Sequence, residues 1–166
     1  MLGRMMVLMS LGMLLAVSPP RQALAQPPKP SPPKISLQDL RDFGVTGIRV
    51  LCVKALDTGK LNAEIQEAAV KGEAWTKEAV PVALRFAGAG LKGHTTTIEV
   101  RTPPEERRTA TITITAAGYL DDAVGGERWR LWLAQGSDGV WTIKRALWAQ
   151  LCQRAGRRFY SAEPCP

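Results

Sequence analysis

The sequence predicts an α+β fold in which N-terminal helical segments pack on a curved four-stranded antiparallel meander. Three observations predict it: strong helix formers concentrate in the first half, residues alternate apolar and polar in the second half, and short turn-rich connections separate the alternating runs. With 166 residues there is room for one ordinary domain. A hydrophobic share of 45% excludes a wholly disordered chain. No apolar run reaches the 18 or so residues of a membrane-spanning helix.

Residues 1–25 read as a secretory signal peptide. Arg4 supplies a thin positive start, Met5 to Val17 form an apolar stretch, and Ala23-Leu24-Ala25 is a small-x-small cleavage pattern, with cleavage expected before Gln26. The chain is therefore expected to be exported, periplasmic or extracellular, and the mature chain to lack a transmembrane segment. Losing Arg4 and Arg21 lowers the formal net charge from +7 to +5, a moderately basic balance that favours acidic partners. Residues 26–34 hold five prolines and read as a semi-rigid extended tether, which leaves residues 35–166 as the folded domain.

Within the domain, Asn62 to Val70 carries strong helix formers, with Ile65, Ala68 and Ala69 on one side. A second helix is expected after Thr76 as N-cap, with Val80, Ala83, Leu84 and Ala87 as its stripe. Pro81 falls at its fifth position, so a strand over 76–87 is the alternative. Thr95 to Arg101 and Thr109 to Ala116 alternate as two strands of a hairpin joined by Thr102-Pro103-Pro104-Glu105-Glu106. Ile98, Val100, Ala110, Ile112, Ile114 and Ala116 should face the core. Glu127 to Ala134 alternates Trp129, Leu131 and Leu133 against Arg128, Arg130 and Trp132. After the tight turn Gly136-Ser137-Asp138-Gly139, Val140 to Trp148 returns as the fourth strand.

All three cysteines lie beyond the signal peptide, where disulfides are permitted. Cys152 and Cys165 frame a polar tail that would otherwise fray, and we expect them to be bridged. Cys52 then remains in an apolar run as a small buried hydrophobe, with an intermolecular bridge or a swapped pairing with Cys152 as alternatives.

The segments Gly139-Val140-Trp141-Thr142-Ile143, Trp148-Ala149-Gln150-Leu151-Cys152, Phe159-Tyr160-Ser161 and Cys165 carry a resemblance. Over about residues 73–166 the chain resembles a family of uncharacterised secreted bacterial proteins, typical of cyanobacteria. The resemblance implies a small cystatin-like or NTF2-like α+β domain. It transfers no catalytic residue. The family pattern often has Gly-His where this chain has Arg157-Arg158, so no histidine-dependent role carries over.

The alternation places Arg101, the Thr111, Thr113 and Thr115 row, Arg128, Arg130, Trp132 and Lys144 on one side of the sheet. Arginine forks beside an indole hold carboxylate, sulfate or phosphate and stack on a sugar, so Arg101, Arg128, Arg130, Trp132 and Lys144 are the candidate ligand-binding residues. The expected ligand is an acidic polysaccharide or another envelope polyanion, with no specific nucleic acid. The tail adds Arg154, Arg157, Arg158 and Tyr160 as a second basic-aromatic cluster. A threonine row also suits an ordered water lattice, but stacked repeats are absent.

The alternative is a small NTF2-like hydrolase or isomerase with a helix–sheet pocket, resting on Tyr119, Asp121, Asp122, Glu127 and His94. Adjacent carboxylates raise one another's pKa or ligate a hard cation only if their loop turns them together. A lone His94 and an apolar Cys52 make neither a metal site nor a nucleophile pair, and no cofactor is expected. A protein-interaction module working through the proline tether is the third reading.

Overall fold

The computed structural model describes residues 34–44, 47–88, 91–154 and 156–166. The signal-peptide expectation lies outside the described residues, as does the tether up to residue 33. Among the described residues no helix is long and apolar enough to cross a membrane.

The fold is α+β, as expected. Among the described residues three α-helices, α1 (Leu37–Phe43), α2 (Gly59–Val70) and α3 (Ala79–Ala87), accompany one open, mostly antiparallel sheet. The strands are β1 (Arg49–Val50), β2 (Lys54–Ala55), β3 (Thr95–Arg101), β4 (Thr109–Ala117), β5 (Val124–Gln135), β6 (Trp141–Arg154) and β7 (Arg157–Ser161). The expected meander is present as β3 to β6, but the sheet has seven strands rather than four, in the order β1-β7-β6-β5-β4-β3 with β2 also against β6. The additional strands are β7, which folds back antiparallel on β6, two-residue β1, which runs parallel to β7, and two-residue β2.

The two sheet faces bury different partners. On one, Ala110, Ile112, Ile114, Trp129, Leu131, Leu133 and Ile143 meet Leu61 and Ile65 of α2 and Val82, Ala83 and Ala87 of α3. Leu61, Ile65 and Ala68 fall at i, i+4 and i+7, so α2 buries one stripe. On the other face Leu147, Ala149, Leu151 and Tyr160 pack with Val53 and with Phe43 of α1. Tyr160 and Phe43 meet edge to face, their ring centroids 5.8 Å apart.

Residues 79–87 are helical, which resolves the alternative left by Pro81. A 3-10 turn (Ala74–Lys77) precedes α3 and Glu78, not Thr76, occupies the N-cap. Pro81 therefore lies in the first turn of the helix, where its missing N–H has no intrahelical acceptor to lose. Buried Thr76 instead donates its hydroxyl to the Glu73 carbonyl at 2.8 Å.

A β-bulge interrupts the β5–β6 register between Trp132 and Leu133, which face Arg145 and Ile143. The Asn62 amide on α2 accepts from the Ile143 N–H at 2.9 Å and donates to its carbonyl at 2.8 Å. One side chain thus satisfies both backbone groups beside the irregularity and ties α2 to it.

Cys152 and Cys165 form the expected disulfide, with Cα atoms 5.3 Å apart. The bridge pins the tail that follows β7. Chain-entropy arguments give such a loop about 3 kcal/mol, so Cys165→Ser should lower the unfolding free energy by about that amount in non-reducing urea titrations. A loss below about 1 kcal/mol would show that the tail is held by its β7 contacts alone.

Candidate functional site

The β3–β4–β5 register brings most of the expected basic face together. Successive cross-strand rows are Thr97–Thr115–Arg128, Glu99–Thr113–Arg130 and Arg101–Thr111–Trp132, with Arg145 of β6 beside Trp132. Lys144 is not part of it. The bulge gives the place opposite Trp132 to Arg145, and Lys144 lines a separate depression with Gln66 and Thr142.

The face is also not open. The capped helix α1 lies across it. The Ser36 hydroxyl accepts from the Asp39 N–H at 3.1 Å, and the Asp39 carboxylate accepts from the Ser36 N–H at 2.7 Å, a reciprocal cap that starts α1. The same carboxylate receives both terminal nitrogens of Arg145, at 2.6 and 2.8 Å. Arg130 donates to the Asp42 carbonyl. Trp132 sits between the Arg130 and Arg145 guanidiniums, 5.3 and 5.1 Å from its ring centroid. Arg128 is 5% exposed and donates to the Thr115 hydroxyl at 2.7 Å, with Glu99 4.0 Å away. Only Arg101 of the expected set stays exposed on this face.

The electrostatics match this enclosure. The Arg145 hydrogen bond holds the Asp39 carboxyl far below the usual carboxylate range, reinforced by the Ser36 bonds and opposed by burial. Burial pulls the Arg130 guanidinium below its ordinary value. The Nε atoms of Arg128, Arg130 and Arg145 are buried without a hydrogen-bond partner.

Of the residues of the enzyme alternative, Tyr119 and Glu127 meet, and Asp121 is taken up by its own turn. Asp121 Oδ1 accepts the Ala123 and Val124 N–H groups, both at 2.8 Å, which makes it a turn residue held below its ordinary pKa by those donors. Asp122 lines a depression with Arg154, and His94 is exposed. Glu127 receives the Tyr119 hydroxyl at 2.7 Å and the Trp148 indole N–H at 3.2 Å. Burial, then this acceptor, pushes the Tyr119 hydroxyl up. Among the described residues no group of three or more His, Cys, Asp or Glu side chains is placed to hold a metal.

Cys52 is half-buried rather than enclosed. Its thiol lies 3.4 Å from the Ser161 hydroxyl and accepts the Ala162 N–H at 3.3 Å. Burial is the largest single influence and acts upward, but these bonds and one from the Glu163 amide outweigh it, so the thiol sits below its ordinary pKa.

The tail cluster forms the open site. In the β6–β7–β1 register Cys152 opposes Phe159, Phe159 lies beside Arg49, and Arg154 opposes Arg157. Because strand residues alternate faces, these side chains share one side. They line a cleft of about 740 Å³. Leu51, Phe159, Pro166 and the Cys152 half of the disulfide make an apolar floor, Arg49, Arg154 and Arg157 surround it, and Arg158, set opposite Gln153 on the other side of β7, also reaches the lining. All four arginines are exposed, and among the described residues none is ion-paired. Arg157 directly follows Gly156, whose φ of 73° gives the left-handed turn that returns the chain along β6. Sequence reasoning found Arg154, Arg157 and Arg158 but not Arg49, which a parallel pairing more than a hundred residues distant brings in.

The Asp39–Arg145 pair generates a stability prediction. Its carboxyl is lowered in the fold, so its contribution is fully present above the unfolded value of 3.8 and is lost as pH falls below it. Asp39→Asn should cost about 2 kcal/mol at neutral pH, and its difference from the wild type should shrink in melts taken below pH 3.8. A pH-independent difference would contradict the pairing. Comparison with protein-family models, with curated proteins and with solved structures finds no match to this chain, so the chemistry of the cleft is read from its own residues.

Proposed function

We propose that the chain is an exported binding domain for an acidic glycan or similar envelope polyanion, and that it binds through the Arg49–Arg154–Arg157–Arg158 cleft. One observation carries this reading: four exposed guanidiniums that form no ion pair among the described residues line a cleft with an apolar floor. Guanidinium forks match carboxylate and sulfate geometry, and Phe159 with half-exposed Leu51 offers a surface for the C–H face of a sugar ring. By contrast, Arg128, Arg130 and Arg145 are turned toward Thr115, Glu99, the Asp42 carbonyl and Asp39, with their Nε atoms buried. Export agrees with the disulfide, since such bridges persist in oxidising compartments.

Chromatography on immobilised heparin, beside a cation exchanger of matched charge density, tests the assignment. The wild type should elute later from heparin than from the exchanger. Changing Arg154, Arg157 and Arg158 together to Ala should abolish that difference and reduce the slope of log K against log salt by roughly one per lost contact. Changing Lys60, Lys71 and Arg107 to Ala removes the same charge from exposed positions elsewhere and should leave most of the difference. Equal loss in both triples would reduce the effect to net charge.

A further inference from the structure

The sheet has two unlike edges. One ends in β1, only two residues long. The other ends in β3, seven residues in uninterrupted register with β4 from Thr95↔Ala117 to Arg101↔Thr111. Every β3 residue is exposed. Natural edge strands are blunted by shortness, proline, lysine or a bulge, because their unpaired N–H and C=O groups otherwise recruit another strand. Thr95–Arg101 has no proline, lysine or bulge and is not short; its two charges, Glu99 and Arg101, are of opposite sign, and five of its seven residues are β-branched. Ile98 and Val100, paired with Ile114 and Ile112, are 37% and 49% exposed beyond the cover of the helices.

We propose that β3 pairs antiparallel with β3 of a second copy of this chain, about a two-fold axis at Val100. Charge selects both occupant and register. Centring the pair on Glu99 sets two carboxylates directly opposite each other, which is destabilising. Centring it on Ile98 faces Glu99 with Thr97. Centring it on Val100 sets Glu99 of each chain opposite Arg101 of the other, giving two ion pairs on one face and a Val100–Val100 contact on the other. The Glu99 carboxylate pairs with Arg128 at 4.0 Å but is 46% exposed, so it can meet Arg101 of a second copy while keeping that pair. Pairing runs from Ile98 to Thr102 and stops where Pro103 has no N–H to offer. So short a ladder makes a weak, reversible dimer.

Sedimentation equilibrium of the full protein, from low micromolar to millimolar concentration, tests this together with Glu99→Arg and Arg101→Glu. Each variant alone sets like charges opposite and should associate about tenfold or more weakly than the wild type. Mixed in equal amounts they should form a heterodimer, because opposite charges then meet at both crossings. The introduced arginine faces the introduced glutamate on one side, and the unchanged Arg101 of the first variant faces the unchanged Glu99 of the second on the other. Melting curves first establish that each variant is folded. Should Glu99→Arg fail there, Val100→Cys, at an exposed position, should oxidise to a covalent dimer while Thr96→Cys does not. A wild type monomeric throughout overturns the proposal, as do single variants that dimerise undiminished or a folded mixture that gains nothing.

Discussion

Strand β6 is the constraint on which the rest of the structure depends. Fourteen residues long, it pairs with β5 along most of its length on one side and with β2 and then β7 on the other. No single helix layer covers so long a strand. Helices α2 and α3 bury Ile143 and Ala146 on one face, and α1 with Tyr160 buries Leu147, Ala149 and Leu151 on the opposite face. Beyond Trp148 the first face would be bare. The disulfide tail takes part of that place by burying Cys152 to 1% exposure, and what remains uncovered is the arginine cleft. The cleft is thus what is left when a strand outruns the elements that pack on it.

One buried and two half-buried arginines show why a basic face in sequence is not automatically a basic surface. Arg128, Arg130 and Arg145 stand close together with three carboxylates nearby, those of Asp39, Asp42 and Glu99. Enclosing them is tolerable because guanidinium is delocalised and weakly hydrated and because Trp132 offers a π-face to two of them. Helix α1 completes the arrangement by presenting one carboxylate and one main-chain carbonyl. These contacts turn the terminal guanidinium nitrogens inward, away from any ligand on that face.

What was legible in the sequence is what periodicity can carry. The rows joining Arg128 to Thr115 and Trp132 to Thr111 follow from strict alternation over long strands, and the structure keeps them. The Cys152–Cys165 bridge follows from two cysteines framing a polar tail. The strand count does not follow, since two residues of β1 or β2 contain no period to detect. Helix α1 escapes for a related reason: seven residues are too few for an intrinsically stable helix, and it exists through its cap, Phe43 and the Arg145 contact. Lys144 is misplaced by one inserted residue, which exchanges its place opposite Trp132 for Arg145. The signal that could have found α1 is Ser36 with Asp39 three residues on, a capping-box spacing directly before Leu40 and Phe43.

The cleft and the open edge lie at opposite ends of the same strand order, β1-β7 at one and β3 at the other. That separation has a consequence for the proposed ligand. Two copies joined through β3 form one continuous sheet whose two clefts sit at its outer edges, related by the two-fold and each open to solvent. A short anionic oligosaccharide would fill one cleft at a time. A polymer long enough to reach both would bind the second as an intramolecular event, at the effective concentration its own length and stiffness set. A weak cleft and a weak dimer would then give selective retention on long acidic chains, with neither contact needing to be strong alone.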